Sequence, residues 1–476
     1  MLTPSVLDHR RCLDLELEIG QHERHDLHRR ARRIVVREEL HEDLVDVARI
    51  ADVGEVLRKD VLLQNRKQLL FYKIMRRRTL TRLLRARLRE APAVALVGPR
   101  QCGKTTLARQ LAGVYFDVEQ ETDRLRLDLE WPRCIAAREL VIVDEAQTWP
   151  GLFPKLRAAI DADRKRSGRF LLLGSISPAL MRHVAESLAG RLALVELTPF
   201  LVEELGPASL QRLWVRGGFP DGGVLGSRAF PRWQLDYLAL LGQRDLPVWG
   251  LHASAQMTSR LLRMLAQVHG QQWNATAIGA SLGLSYHTVN GYLDVLEGAF
   301  LVRRLLPWEG GNVRKRLVKR PKAYLRDSGL VHALLGLRRD DDLVALPLAG
   351  ASWEGFVIEQ LLGSLSARGV TADPTYLRTS DGREIDLVLD IGSERWAFEV
   401  KLTTSPSPEH LARLRTAADL CGATRRVLVS HVPRASRGER EWSCDLPTAI
   451  RWLCQEVNGR ESGRHAPRRA KARRSR

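Results

Sequence analysis

The eight residues Gly98-Pro99-Arg100-Gln101-Cys102-Gly103-Lys104-Thr105 constrain this chain more than any other stretch. They satisfy the pattern G-x-x-x-x-G-K-[ST] at every position. They stand between an apolar run, residues 93–97, that reads as a buried strand, and a helix-forming run that opens at Thr106. A strand, a glycine-rich turn and a helix N-terminus aim several backbone N–H groups and the positive end of the helix dipole at one point. That arrangement suits a polyphosphate. Lys104 is placed to reach the β- and γ-phosphates and Thr105 to hold Mg²⁺, with Thr106 beside it. The stretch implies nucleotide binding on an α/β core.

About forty residues past Lys104, the run Leu140-Val141-Ile142-Val143 ends in Asp144-Glu145. A buried parallel strand that delivers acids at its C-terminal end is what a second nucleotide motif requires. Asp144 is expected in the Mg²⁺ shell and Glu145 beside the attacking water. A third apolar run, residues 170–173, leads to Ser175, a polar residue at the same sheet edge or simply a turn residue.

The chain has 476 residues, enough for two to four domains, and its 44% hydrophobic and 28% charged content is ordinary for a globular protein. Net charge is +19 with a pI near 10.2, which suits a polyanionic partner such as DNA or, alternatively, a solvated basic surface. The six cysteines form no C-x-x-C pair and no metal-ligand spacing, so they read as reduced thiols. No apolar run spans a bilayer and no secretory leader is evident, so a cytoplasmic location without membrane contact is expected.

Six segments are expected. Residues 1–74 are histidine-rich and densely charged, without Trp, and read as an extension foreign to the rest, with Met75 as the natural start. Residues 75–205 form the nucleotide-binding core and 206–253 a linker and helical lid. Residues 254–320 read as a winged-helix-like module: a helix at 275–282, a Gly283-Leu284 turn, the N-cap Ser285, a second helix, then a wing strand at 300–308. Tyr286, His287 and Asn290 would be its exposed recognition positions. Arg314, Lys315, Arg316, Lys319, Arg320 and Lys322 follow as a basic stripe suited to phosphates. Residues 321–457 form a last α/β domain, and 458–476 a basic disordered tail.

In that last domain, Arg383–Leu389 reads as a strand after an Asp381-Gly382 turn, and Trp396–Lys401 as the next strand. Side chains two apart on a strand share a face, so Glu399 and Lys401 point together, with Asp386 on the neighbouring strand. Glu354, with Glu359 as the alternative, supplies a carboxylate from the helix at 352–362.

The motifs GPRQCGKT, VIVDEAQ, LLLGSISP, SLAGR, LWVRGGFPDG and RDLP together resemble those of bacterial and archaeal AAA+-type ATPases that carry a C-terminal domain of unknown function. The resemblance runs from about Met75 to about Leu453. It implies a P-loop NTPase (AAA+-like) core that binds and hydrolyses ATP with Mg²⁺. It also implies Ser175 as the sensor, and Arg191 and Arg244 as candidates for neutralising transition-state charge. The segment carrying Asp386, Glu399 and Lys401 resembles the PD-(D/E)XK nuclease fold. There two acids, with Glu354, hold a metal, and the lysine aids the attacking water. The function expected is an ATPase acting on or regulated by DNA. The alternative is an ATP-gated switch for DNA or a protein partner, without nuclease chemistry, and either could be a homo-oligomer.

Overall fold

The computed structural model describes residues 77–174, 188–226, 229–310, 317–339, 342–343 and 346–464, with side chains to residue 458. The chain divides into two units, Met1–Met75 and Arg76–Arg476, and the first lies outside the described residues. So do Ser175, Arg314, Lys315, Arg316 and the basic end of the tail. The expectations placed on them have no structural counterpart.

The first layer is a parallel five-stranded sheet. Its strands are β1 (Ala93–Val97), β2 (Val114–Asp117), β3 (Val141–Asp144), β4 (Phe170–Leu173) and β5 (Leu192–Glu196), in the order β2-β3-β4-β1-β5. The residues of β1, β3 and β4 are all buried, which is why they read as unbroken apolar runs and not as alternating ones. Helices α1 (Thr81–Glu90), α2 (Lys104–Ala108), α3 (Glu121–Ala136) and α4 (Leu152–Ala162) cover the sheet. Because all strands run the same way, the P-loop after β1 and the acids ending β3 emerge at one edge.

Two small helices follow, α5 (Leu210–Arg216) and α6 (Arg232–Leu240), and α6 runs into a π-helical turn at Leu241–Asp245. Helices α7 (Ala255–Gln267), α8 (Ala275–Leu282) and α9 (Tyr286–Gly298) come next. Each has a side-chain N-cap: Ser254 accepts from Met257 N–H, Asn274 from Ala277 N–H and Ser285 from Thr288 N–H. Gly283, at φ 71°, ends α8 in the left-handed conformation that a side chain disfavours, so the turn into α9 is sharp. Tyr286 and His287 are exposed. Asn290, expected to be exposed, is half-buried and its side-chain oxygen accepts from Trp273 Nε1 at 2.9 Å, so its amide serves packing.

Strand β6 (Val302–Pro307) pairs antiparallel with β7 (Lys322–Leu325), but its far end also pairs parallel with β8 (Asp373–Arg378). The expected wing is therefore one margin of an eight-stranded sheet, order β12-β13-β11-β10-β9-β8-β6-β7. The remaining strands are β9 (Glu384–Ile391), β10 (Glu394–Val400), β11 (Arg425–Val429), β12 (Ser436–Arg437) and β13 (Glu441–Cys444). Pairing with β6 covers what would be the open edge of β8, so middle module and last domain share one sheet. Helices α10 (Ser328–Leu334), α11 (Ala349–Ser366), α12 (Pro408–Cys421) and α13 (Leu446–Arg464) complete the unit.

Helix α11 is apolar nearly all round and sits inside one large core. That core joins Phe200, Val202 and Trp214 to Trp353, Phe398 and Leu453. One of its two charged residues, Glu359, is clamped by Arg303 and by Arg326, whose other side holds Glu196 at the end of β5 at 2.7 Å. Burial pushes the Glu359 carboxyl up, yet the two guanidiniums bring it down to about 2. Glu359 is thus a structural anion, and the alternative role for it as a metal ligand is ruled out by its partners. Among the described residues the cysteines are free and buried, and no helix is long and apolar enough to cross a membrane.

Candidate functional site

The P-loop is shaped by its glycines and by one arginine outside it. Gly98 has φ 147°, and a Cβ there would lie 2.2 Å from the Leu197 carbonyl oxygen, so the loop can approach β5 only with glycine. Gln101 (φ 61°) and Glu145 (φ 50°) adopt left-handed conformations that non-glycine residues rarely take, at the two motifs that face one another. Arg78, buried and just ahead of α1, donates to the Cys102 carbonyl at 3.0 Å and to both Glu204 oxygens at 3.1 Å. It pins the outer arm of the loop to the segment after β5. Nothing in the pair Arg77-Arg78 distinguishes the buried arginine from its exposed neighbour; only packing does.

Lys104 is buried, and its Nζ donates to the Gly98 and Pro99 carbonyls at 3.0 and 2.9 Å. Thr105 Oγ1 donates to Asp144 Oδ2 at 2.6 Å, which brings the two motifs into direct contact. Tyr115, on β2, donates its hydroxyl to the same oxygen at 2.7 Å, and the Glu145 N–H donates to the other at 2.9 Å. The Asp144 carboxylate is therefore held on both sides. The register Asp117↔Asp144 carries Tyr115 alongside β3, a placement the sequence alone did not disclose. These groups fit Mg²⁺ and a triphosphate. Thr105 and Asp144 are hard oxygen donors already adjacent, and Lys104 lies under the loop's own carbonyls.

Glu145 follows with its carboxyl raised, chiefly by burial. Arg100 opposes that shift most, then a hydrogen bond from Gln147; Asp144 raises it and Lys104 lowers it. A carboxyl tuned upward near Lys104 suits a group that orients or accepts a proton from water. Both arginines expected to neutralise charge are engaged in ion pairs. Arg191 makes a two-point ion pair with Asp161 at 2.8 and 3.0 Å, and exposed Arg244 pairs with Glu119 at 2.8 Å.

The second constellation lies in the eight-stranded sheet. Between the pairs Thr375↔Val388 and Leu377↔Ile385, two residues of β9, Asp386 and Leu387, oppose Tyr376 alone on β8, so β9 carries a bulge. The bulge re-aims Asp386, whose Oδ2 accepts from the Val400 N–H at 2.8 Å and so lies against Glu399 and Lys401. Lys401 Nζ is 2.5 Å from Glu399 Oε1, while Glu399 Oε2 is buried without a hydrogen-bond partner. Burial, then Glu354 and Glu399, push the Asp386 carboxyl well above its usual range, against Lys322 and Lys401. Burial also raises Glu399.

Asp386, Glu399, Lys401 and Glu354 therefore come together. The sequence reading missed the residue at their centre. Lys322, expected in a surface phosphate stripe, is 3% exposed and pairs with Glu354 at 2.9 Å and Glu384 at 2.7 Å. Tyr324 donates to Glu354 as well. Glu354 thus faces a cation, and among the described residues no group of three or more His, Cys, Asp or Glu is arranged to hold a metal. Of the three carboxylates expected at a metal, Glu354 is engaged by Lys322 and Tyr324, while Asp386 and Glu399 remain side by side.

The chain matches an AAA domain over residues 90–206, a domain of unknown function (DUF8612) over 207–341 and another (DUF4143) over 349–448. An uncharacterized protein of Mycobacterium tuberculosis is 40% identical over 342 residues, covering 70% of this chain and 76% of its own length. The chain belongs to that family, as an AAA-type ATPase. An uncharacterized protein of Mycobacterium bovis matches with the same identity and coverage. Among solved structures, the Walker-type ATPase of Pyrococcus abyssi is 15% identical. The match covers 54% of this chain and 94% of that one, at a TM-score of 0.36. The AAA-type ATPase core of this family member carries the geometry centred on Lys104, Thr105 and Asp144.

Proposed function

We propose that this AAA-type ATPase hydrolyses ATP with Mg²⁺ and uses the cycle as a switch that acts on, or is regulated by, DNA. The observation that carries the reading is the Thr105–Asp144 hydrogen bond of 2.6 Å, formed beside buried Lys104. Mg²⁺ held by Thr105 and Asp144 would neutralise charge on the terminal phosphates. The amides of residues 98–105 and Lys104 bind and orient the polyphosphate, Tyr115 holds the Asp144 carboxylate in place, and Glu145 positions the attacking water. Glu145→Gln should leave ATP affinity within about threefold and lower turnover by roughly a hundredfold or more, because only the water-orienting group changes. Unchanged turnover in that variant, followed by phosphate release, would refute the role.

DNA is favoured as the partner by charge and shape. Net charge is +19. A cleft of about 570 Å³ runs between α7–α8 and β7–β8, lined by Gln271, Gln272, Asn274, Arg320 and Arg378. Amides and guanidiniums in one cleft are the contacts a sugar-phosphate backbone takes. The switch reading is preferred over a nuclease because Lys322 occupies the place between Glu354 and Glu384. On this reading, the chain should bind duplex and single-stranded DNA at low salt, with affinity falling steeply as salt rises. It should not nick supercoiled plasmid with Mg²⁺ or Mn²⁺, with or without ATP. Nicking that disappears in Asp386→Ala would reinstate the nuclease. Absence of DNA binding at low salt would point instead to a protein partner.

A further inference from the structure

Arg100 sits in the P-loop, but its side chain leaves the loop toward the lid segment. Its Nη1 lies 3.3 Å from Asp245 Oδ1, and Asp245 is buried at the end of the π-helical turn. Its backbone carbonyl accepts from the Tyr237 hydroxyl on α6 at 3.2 Å. The loop is therefore tied to α6 and the turn after it at one residue, through both main chain and side chain. On the other side the same guanidinium is the charge that acts most strongly on Glu145. Its Nε is buried and has no hydrogen-bond partner among the described residues.

A guanidinium has five donors in a planar fork, suited to two-point capture of a carboxylate or phosphate. Here one edge faces the lid carboxylate, and a donor directed into the interior is unmatched. The group stands on the phosphate-binding loop beside the carboxylate expected to orient water. A third anion arriving there would compete with Asp245 for the guanidinium. The π-helical turn that bears Asp245 is a local departure from α-helix of the kind often found at functional sites.

We infer that Arg100 reads the terminal phosphate of a nucleoside triphosphate in cis, exchanging Asp245 of the lid for that phosphate. This rests on the nucleotide-binding reading of the P-loop. A triphosphate would loosen the contact between loop and lid, whereas a diphosphate, lacking the terminal group, would leave Arg100 on Asp245. Binding would thus be coupled to the position of the turn at Leu241–Asp245 through a charge exchange at Arg100.

The two ends of the ion pair make the test decisive. If the pair only staples loop to lid, breaking it from either end has the same consequence. If Arg100 reads the phosphate, the two ends have opposite effects. Arg100→Ala should weaken ATP roughly tenfold and ADP by less than about twofold, because a charge-assisted bond to the terminal phosphate is lost. Asp245→Asn frees the guanidinium and should tighten ATP by roughly threefold while leaving ADP unchanged. Titration of the full chain with ATP and ADP in the presence of Mg²⁺ reads both, with thermal melting to verify folding. If both variants weaken ATP, or shift ATP and ADP alike, the inference is overturned while nucleotide binding stands. A wild-type chain that binds neither nucleotide overturns both. Should Arg100→Ala fail to fold, Asp245→Asn alone decides, since release of a mere staple would move ATP and ADP together, whereas a freed phosphate reader tightens ATP and leaves ADP unchanged.

Discussion

Lys104→Ala should leave a folded chain whose ATP affinity has fallen by at least roughly a hundredfold, close to loss of binding. The lysine is 7% exposed, so its ammonium works where water does not screen it, and a charge-assisted contact there is worth on the order of 3 kcal/mol. The substitution also strands the Gly98 and Pro99 carbonyls that the ammonium satisfies at 3.0 and 2.9 Å. A loss of about 1–3 kcal/mol in stability is expected beside the binding defect. Calorimetric titration with ATP and Mg²⁺ measures the first effect and thermal unfolding the second. ATP affinity within a few-fold of the wild type would remove the phosphate-binding role of this loop.

Lys322→Met should be the most damaging single change outside the nucleotide site. It removes the cation between the half-buried carboxylates Glu354 and Glu384, beside buried Asp386, at a cost of about 3 kcal/mol. The loss should depend on pH, and the sign follows from Asp386. Its carboxyl is raised in the folded state, so its contribution to stability is present at pH below the ordinary carboxylate range and is lost as pH rises through the folded value. Without Lys322 that rise grows, so the variant should be far weaker than the wild type at pH 8 and closer to it at pH 5. Adding Glu354→Gln, which removes one of the stranded charges, should recover part of the deficit. Denaturant unfolding at the two pH values checks this. Equal deficits at both would mean that the lysine contributes packing alone.

The two predictions rest on sites that differ in how far they could be read in advance. The nucleotide site is local. Gly98 to Thr105 are consecutive, Asp144 and Glu145 close a single strand, and parallel strands bring both segments to one sheet edge. A phosphate-binding loop is made mostly of backbone, so its glycine spacing shows in the chain itself. The acid cluster is assembled from β7, β9, the end of β10 and α11, and only some of it is periodic. Glu399 and Lys401 could be paired by strand alternation. Asp386 reaches them through a bulge that breaks the alternation, since two residues of β9 stand against Tyr376.

What the sequence by itself determined is the ATPase core: a buried strand, a glycine turn and two acids at a strand end admit few other arrangements. It also determined the second helix of the middle module and its cap, because Ser285 satisfies an amide three residues away. The tertiary structure alone decided which charges are inside. Arg78, Lys322, Arg326 and Glu359 look like any surface residue in a chain with net charge +19, yet the first two are buried and the others mostly so, against partners far away in the sequence. A charge enters the interior only where an opposite charge and hydrogen bonds meet it, and those partners arrive by folding from remote segments. Periodicity records which face of a strand or helix is turned inward. It holds no record of which remote carboxylate will be waiting there, and so the roles of Lys322 and Asn290 had to come from the packed structure.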